Sequence, residues 1–345
     1  MFWWIRGKTA IGLEGYRLVR KRIKRLTTVI LKTQFSRYSV WFALILIAIV
    51  LSIVTTRFFT ISNLANVSRQ VSVNIILACG MTIVILTGGI DLSVGSVLAF
   101  SSVIMADVML RYGMVTGLIV GVLVGAGAGL MNGLIIARRK DMAFVVTLGT
   151  MTIWRSLTAI YTSGIPVAGF HDAFLQIGGG YFLSIPIPFW IAVFIAILFK
   201  FILEWTKYGQ FVYAIGSNYT AARNCGVKTD MIIIVSYMIC GALAAIAGIV
   251  LTSRLNAAQT QVGLGYEMDV IAAAVIGGVS LKGGRGRVLG TLGGAILMGV
   301  IRNGLNLMNV PVNLQQTIMG LVIVLAIIWD NDRRKLKKKE RINKK

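Results

Sequence analysis

Ten long apolar runs decide what this 345-residue chain can fold into: they lie at about 39–56, 71–88, 92–110, 114–137, 143–162, 186–204, 231–252, 266–281, 289–308 and 312–329. A helix crossing ~30 Å of hydrocarbon takes about 20 apolar residues, so the runs predict an all-α polytopic membrane protein of about ten transmembrane helices. Composition agrees, with 57% hydrophobic residues, 14% charged and a mean hydropathy of +0.81. A water-soluble enzyme and a single-span receptor are excluded, whereas a membrane enzyme, a channel and a transporter remain. The run 266–281 is the weakest, being short and carrying Glu267 and Asp269 at its start. The first run follows 38 residues too long and basic for a signal-peptide leader, with no small-residue cleavage site after it, and is expected to stay as an anchor.

The net charge of +23, from 35 Lys and Arg against 12 Asp and Glu, is explained by position. Ten basic residues crowd 1–38 against the single acid Glu14, and nine crowd 331–345. Both termini are therefore expected in the cytoplasm, and alternation from there places 29 basic residues inside and only Arg57, Arg69, Arg111 and Arg254 outside, with Arg155 and Arg302 left within spans. The chain divides into a basic N-terminal segment 1–38, a membrane domain 39–330 and a basic tail 331–345. Within the first, residues 16–32 alternate basic residues with Leu18, Ile23, Leu26 and Ile30 at helical spacing, which suits the surface of an anionic bilayer. No aromatic side chains interleave with these basic residues, so nucleic acid is not the expected partner.

Chemistry is sparse. Cys79, Cys225 and Cys240 and the single His171 form no disulfide framework or metal-ligand spacing, so no metal and no cofactor are expected in this chain. The phosphate-binding pattern G-x-x-x-x-G-K-[ST] is absent, the glycine-rich Gly277–Gly290 stretch lacking its Lys-Ser/Thr end, and the spans carry no relay of ionisable groups. Uphill transport would need a separate energy-supplying subunit. The longest cytoplasmic loop, 205–230, is more than a linker: Tyr219–Arg223 suits a short helix capped by Ser217 or Asn218 and stopped by Gly226. Pinned between two spans, such a helix is what docking into a partner's groove requires.

Several polar residues inside or beside spans have two readings each. Asp91, in Gly88-Gly89-Ile90-Asp91-Leu92-Ser93, sits where a helix breaks and restarts: it caps the new helix, leaving its first amides exposed, or together with Ser93 it lines a pathway or gate. Arg155 and Arg302, near mid-span, must face the protein interior, with Asp107, Asp91 or helix-end carbonyls as partners, in a structural pair or a polar pathway wall. Asn74, Asn132, Asn303 and Asn306 can hydrogen-bond a polyol or a neighbouring helix equally well. Glu267 and Asp269 either complement a helix dipole or join Arg57, Arg69, Arg111 and Arg254 in docking a soluble partner. Gly117, Gly121, Gly125, Gly129 and Gly133 make a one-face stripe for close helix packing or a glycine-lined path.

Three segments also carry a family resemblance: Gly80–Ala99 (GMTIVILTGGIDLSVGSVLA), Tyr213–Gly226 (YAIGSNYTAARNCG) and Gly265–Gly294 (GYEMDVIAAAVIGGVSLKGGRGRVLGTLGG), followed by Asn303-Gly304-Leu305-Asn306-Leu307 and Gln316. Over about residues 40–330 the chain resembles the permeases of bacterial monosaccharide ABC importers, most closely the ribose type. Residues 1–38 fall outside the resemblance. It implies a vitamin-importer-like arrangement of about ten helices in the bacterial inner membrane. Its implied partners are a second permease copy or a related permease, a cytoplasmic subunit binding ATP and Mg, and a periplasmic sugar-binding protein. It also implies that Tyr213, Ala214, Ile215, Gly216, Ser217, Asn218, Ala221, Ala222, Arg223 and Gly226 couple the chain to that ATPase. The expected function is passage of a small neutral, ribose-like monosaccharide. Another pentose, a hexose, a nucleoside or a sugar-like signal is the alternative cargo, and a stand-alone facilitator the alternative mechanism.

Overall fold

A computed structural model describes residues 40–325 and 328; the basic segment 1–38 and the tail 331–345 lie outside the described residues. Helices α1 (Val40–Val54), α2 (Ile61–Leu86), α3 (Val94–Tyr112), α4 (Met114–Arg138), α5 (Ala143–Thr162), α6 (Asp172–Gly179), α7 (Ile187–Trp205), α8 (Lys207–Ser217), α9 (Tyr219–Asn224), α10 (Thr229–Leu255), α11 (Tyr266–Ile276), α12 (Val288–Leu307) and α13 (Val312–Leu325) follow one another. Between them, among the described residues, lie a 3-10 turn at Lys140–Met142 and two two-residue ladders, β1 (Val167–Ala168) with β4 (Ala257–Ala258) and β2 (Tyr181–Phe182) with β3 (Ile185–Pro186), both antiparallel. Among the described residues, seven helices are long and apolar enough to cross a membrane: α2, α3, α4, α5 with the short turn before it, α7, α10 and α12.

Three of the ten expected spans are not spanning helices among the described residues: over 39–56 and 312–329 the helices α1 and α13 are shorter apolar helices, and over 266–281 α11 is shorter still. Over 266–281 the helix α11 has 11 residues and ends at Gly277, and at about 1.5 Å per residue it covers roughly half of a ~30 Å hydrocarbon core. The paired Gly277 and Gly278, the latter at φ +88°, turn the chain into an irregular loop that reaches α12 at Val288. That loop is packed among helices, the setting in which non-helical backbone is tolerated at such depth.

Helix α2 is the axis of the bundle. Its apolar window is 89% buried whereas that of α5 is 22% buried, so α2 is enclosed by protein and α5 lies at the periphery, exposing Phe144, Val145, Leu148, Ile153 and Ile160. Around α2 pack α7, α10, α11 and α12, while α3 and α4 complete the layer beyond α10. The glycine stripe of α4 explains that layer. A side chain at Gly117 would come within 2.6 Å of the Met109 Cβ, one at Gly133 within 2.8 Å of the Ile234 Cα, and one at Gly129 would collide with the Tyr237 carbonyl. The stripe thus seats α4 on α3 at one end and on α10 at the other, close packing of the small-residue kind.

Candidate functional site

The helix break expected at Gly88–Ser93 exists, with a different cap. Helix α2 ends at Leu86 and α3 begins at Val94, so Ser93 occupies the N-cap position, and the Asp91 carboxylate stands two residues earlier. Its Oδ1 accepts from both the Ser93 backbone N–H (2.9 Å) and the Ser93 hydroxyl (2.6 Å), an Asx-type turn that holds the break shut. Asn132 of α4 donates to the same hydroxyl at 2.8 Å, and Tyr237 of α10 and Thr147 of α5 donate to the Ile90 carbonyl at 3.2 and 3.3 Å. Asp91, Ser93 and Asn132 are fully buried. The expected exposure of the first α3 amides is therefore corrected: neighbouring helices cover them.

Around this break, loops at the same end of the bundle converge. Expected as one helix, the segment 205–230 holds two. Asn218 caps α9 by accepting from the Ala221 N–H at 3.0 Å, and Cys225 ends it just before Gly226 at φ +82°. The preceding helix α8 escaped the sequence reading because, at 11 residues, it is too short for periodicity to stand out. Within the expected coupling residues, Ile215 and Ala222 are buried, Tyr213, Ala214 and Gly216 half-buried, and Ser217, Asn218, Ala221 and Arg223 exposed. The exposed set leaves α9 a polar outer surface. Tyr213 donates to the Gly286 carbonyl at 3.0 Å, and burial raises its phenol further above the ordinary range, so it stays a neutral donor. Lys140, on the turn before α5, lies 4.6 Å over the Tyr219 ring, and Tyr219 in turn donates to Asp230 at 3.1 Å. Neither Lys140 nor Tyr219 was singled out from sequence; a basic residue in a short loop carries no pattern that points to a ring nearly 80 positions away.

At the opposite end a second polar group surrounds the start of α11. Arg302 contacts Asp269 at 2.7 Å, without a well-aligned hydrogen bond, and its guanidinium lies 5.9 Å from the Tyr266 ring. Its partner was thus not among Asp107, Asp91 and helix-end carbonyls. Arg155 does use carbonyls, those of Thr260 and Val262, the latter at 2.8 Å. Asp107 pairs instead with Arg111 at 2.9 Å and accepts from Tyr161 at 2.6 Å. Glu267 and Asp269, read either as complementing their helix dipole or as docking a soluble partner, are buried in the first turn of α11: Glu267 accepts from the Gly265 N–H at 3.2 Å, with its other oxygen against Gly95. Arg69 stacks on Tyr181 at 4.8 Å and donates to the Gly179 carbonyl at 3.2 Å, and Arg254 is half-buried. Of the six residues read as docking contacts, Arg57 and Arg111 are exposed.

The amides divide in the same way. Asn303 of α12 and Asn63 of α2 exchange two hydrogen bonds, at 2.8 and 3.0 Å, and Asn306 accepts from Gln315 at 2.8 Å. Both are helix–helix contacts. Asn74 is buried in mid-α2 with no side-chain hydrogen bond among the described residues, and the Asn132 Oδ1 is likewise without a partner there. Among the described residues no group of three His, Cys, Asp or Glu side chains is placed to hold a metal ion.

Comparison with known proteins fits this arrangement. Residues 63–327 match the family described as branched-chain amino acid transport system / permease component. The chain is 43% identical to the ribose import permease protein RbsC of Escherichia coli K12 over 293 residues, 84% of this chain and 91% of that one. It is also 43% identical to RbsC of Bacillus subtilis 168, over 83% and 90%, and 35% identical to the L-arabinose transport system permease protein AraH of E. coli K12, over 89% and 96%. No solved structure matches. With more than two thirds of its length aligned to such relatives, the chain belongs to the family of permease subunits of bacterial ABC-type sugar importers, and is a multi-pass protein of the inner membrane.

Proposed function

We propose that this permease passes a ribose-like monosaccharide inward, driven by ATP and Mg bound on a separate ATPase subunit and fed by a periplasmic sugar-binding protein. The observation that carries the cargo is the 43% identity to ribose permeases across 84% of the chain, against 35% to the arabinose and 34% to the allose permease. Counting α1, α11 and α13 brings the helices crossing or entering the membrane to ten. The cytoplasmic side is the end carrying Arg138–Lys140, the 205–230 loop and Lys282–Arg287, with both termini on it, in a vitamin-importer-like arrangement. The polar surface of α9 with Arg223 receives the ATPase. The apolar face of α5 meets a second permease copy. At the other end, Arg57 and Arg111 are the contacts for the binding protein. The sugar passes Asn74, Asp91 and the buried polar group around α11.

The test is reconstitution of the tagged chain, with the subunits that co-purify with it, in liposomes. ATP-dependent uptake of labelled ribose, competed more strongly by ribose than by arabinose or allose, is the expected result. Uptake driven by arabinose or allose with equal preference would reassign the cargo. Ribose flux through the chain alone, without ATPase or ATP, would make it a facilitator.

A further inference from the structure

Between the 205–230 loop and the α2–α3 break lies a segment to which neither the resemblance nor the site description assigns work: the tip Gly283–Gly286 of the loop joining α11 to α12. Toward α2 and α8 its nearest neighbours are mostly backbone atoms. The Gly284 N–H donates to the carbonyl of Leu86, the last residue of α2, at 2.9 Å. A methyl group on Gly283 would come within 2.9 Å of both the Gly216 Cα in α8 and the Gly88 nitrogen at the break. A side chain at Gly216 would collide with the Leu86 carbonyl and the Gly284 amide, and one at Gly284 with Ser217. Gly283 and Gly284 have φ of +83° and +68°, so the tip needs glycine for its conformation as well as for its thinness. Tyr213 ties the tip to α8 from the other side through the Gly286 carbonyl.

We propose that this tip is a rigid relay that carries displacement of the coupling helices α8 and α9 to the helix break at Gly88–Ser93; the assignment rests on the importer reading above. The physical reason is that backbone meets backbone directly at Gly216, Gly283 and Gly284. An interface made of long side chains absorbs a shift of an ångström by changing rotamers. Where α8 backbone meets tip backbone and tip backbone meets the end of α2, such slack is missing, and close-packed interiors transmit strain. From Leu86 the path continues through the turn at Thr87 and Gly88 to Ile90, whose carbonyl is held by Tyr237 and Thr147, and to the Asp91–Ser93–Asn132 group. Lys140 closes the assembly. Its ammonium lies over Tyr219 of α9, and a methyl group on Gly88 would stand 3.7 Å from that ammonium. One side chain therefore stands beside both α9 and the break. Tyr213 and Lys140 are positioning residues here; neither is required to touch sugar.

The experiment uses the whole importer in proteoliposomes and reads ribose taken up per ATP hydrolysed, a ratio that an unstable but intact protein does not alter. Tyr213→Phe, which removes one hydroxyl and keeps the ring, should lower the ratio by about three- to tenfold, the range one lost hydrogen bond gives, while ATP hydrolysis and assembly persist. Lys140→Gln should lower it too, and Lys140→Arg, which restores a cation over the ring, should recover it. Gly284→Ala should abolish uptake in whatever fraction assembles. Tyr161→Phe, which removes a comparable hydrogen bond to Asp107 at the other end, should leave the ratio unchanged. An unaltered ratio in both Tyr213→Phe and Lys140→Gln overturns the relay and leaves the importer intact. Failure of the unmodified chain to assemble with an ATPase or to take up ribose with ATP overturns the importer reading, and the relay with it.

Discussion

Asp91 shows how much one buried carboxylate can organise. It accepts twice from Ser93 in a dry setting, where hydrogen bonds to a charged group are worth about 1.5–3 kcal/mol each and an unmet partner costs more. Asp91→Ala is therefore expected to lower stability in detergent by about 2–3 kcal/mol, and Asp91→Asn, which keeps an acceptor, by much less while still impairing uptake; denaturation midpoints and uptake rates check the two parts separately. Arg302 and Asp269 make a second test. Removing one member of a buried ion pair costs about 3–5 kcal/mol because the other charge is stranded. Arg302→Met or Asp269→Leu alone should thus destabilise more than the two together, and a double-mutant cycle on thermal unfolding reads the difference. Sequence placed both residues but not their pairing. Asp269 and Arg302 lie 33 positions apart on different helices, and a charge in a span announces that it needs a partner without naming one.

At the level of elements, periodicity and length made most helices legible, since apolar runs near 20 residues admit little else in a bilayer. Helix α11 was misjudged because hydropathy counts apolar residues and not their hydrogen bonding: Val275, Ile276 and Val279 continue the run, while Gly277 and Gly278 end the helix between them. Helices α6 and α8 were missed because, at 8 and 11 residues, their capping and packing outweigh periodicity. The glycine stripe was legible as a surface but not as a choice between packing and path; the Tyr237 and Ile234 backbones against Gly129 and Gly133 decide for packing. That gives a sharp contrast within α4. Gly127 has nothing within 4 Å of a would-be side chain, so Gly127→Ala should be neutral or stabilise by up to about 1 kcal/mol through helix propensity. Gly129→Ala should destabilise by about 1–3 kcal/mol by forcing α4 off α10. Denaturation of the two variants side by side measures both.

For the whole molecule, the uneven burial of its helices leaves some apolar faces open and others enclosed. An apolar face as open as that of α5 is covered by lipid or by protein, and the proposed function assigns it to a second permease. A single cysteine at Ile153, in a chain whose Cys79, Cys225 and Cys240 are replaced, is expected to form a crosslinked pair in native membranes. The same substitution at Leu123, on the apolar groove beside Ile119 and Ile249, is expected not to. Gel mobility under oxidising conditions reads both, and the reverse pattern would move the interface to α4.

The reciprocal amide exchange between Asn63 and Asn303 has a geometric consequence for α2. It fastens the helix near its first turn, whereas Leu86 at its last turn is the residue bonded to Gly284. A rod fastened at one extremity and pushed at the other pivots. From Asn63 to Leu86 the arm is roughly 35 Å at 1.5 Å per residue, so a push of about 1 Å becomes an angle of under about 2°, and lateral movement shrinks to nothing on approaching the pivot. Helix α2 would then swing one mouth of the protein while leaving the other still, and the two mouths would answer to different levers.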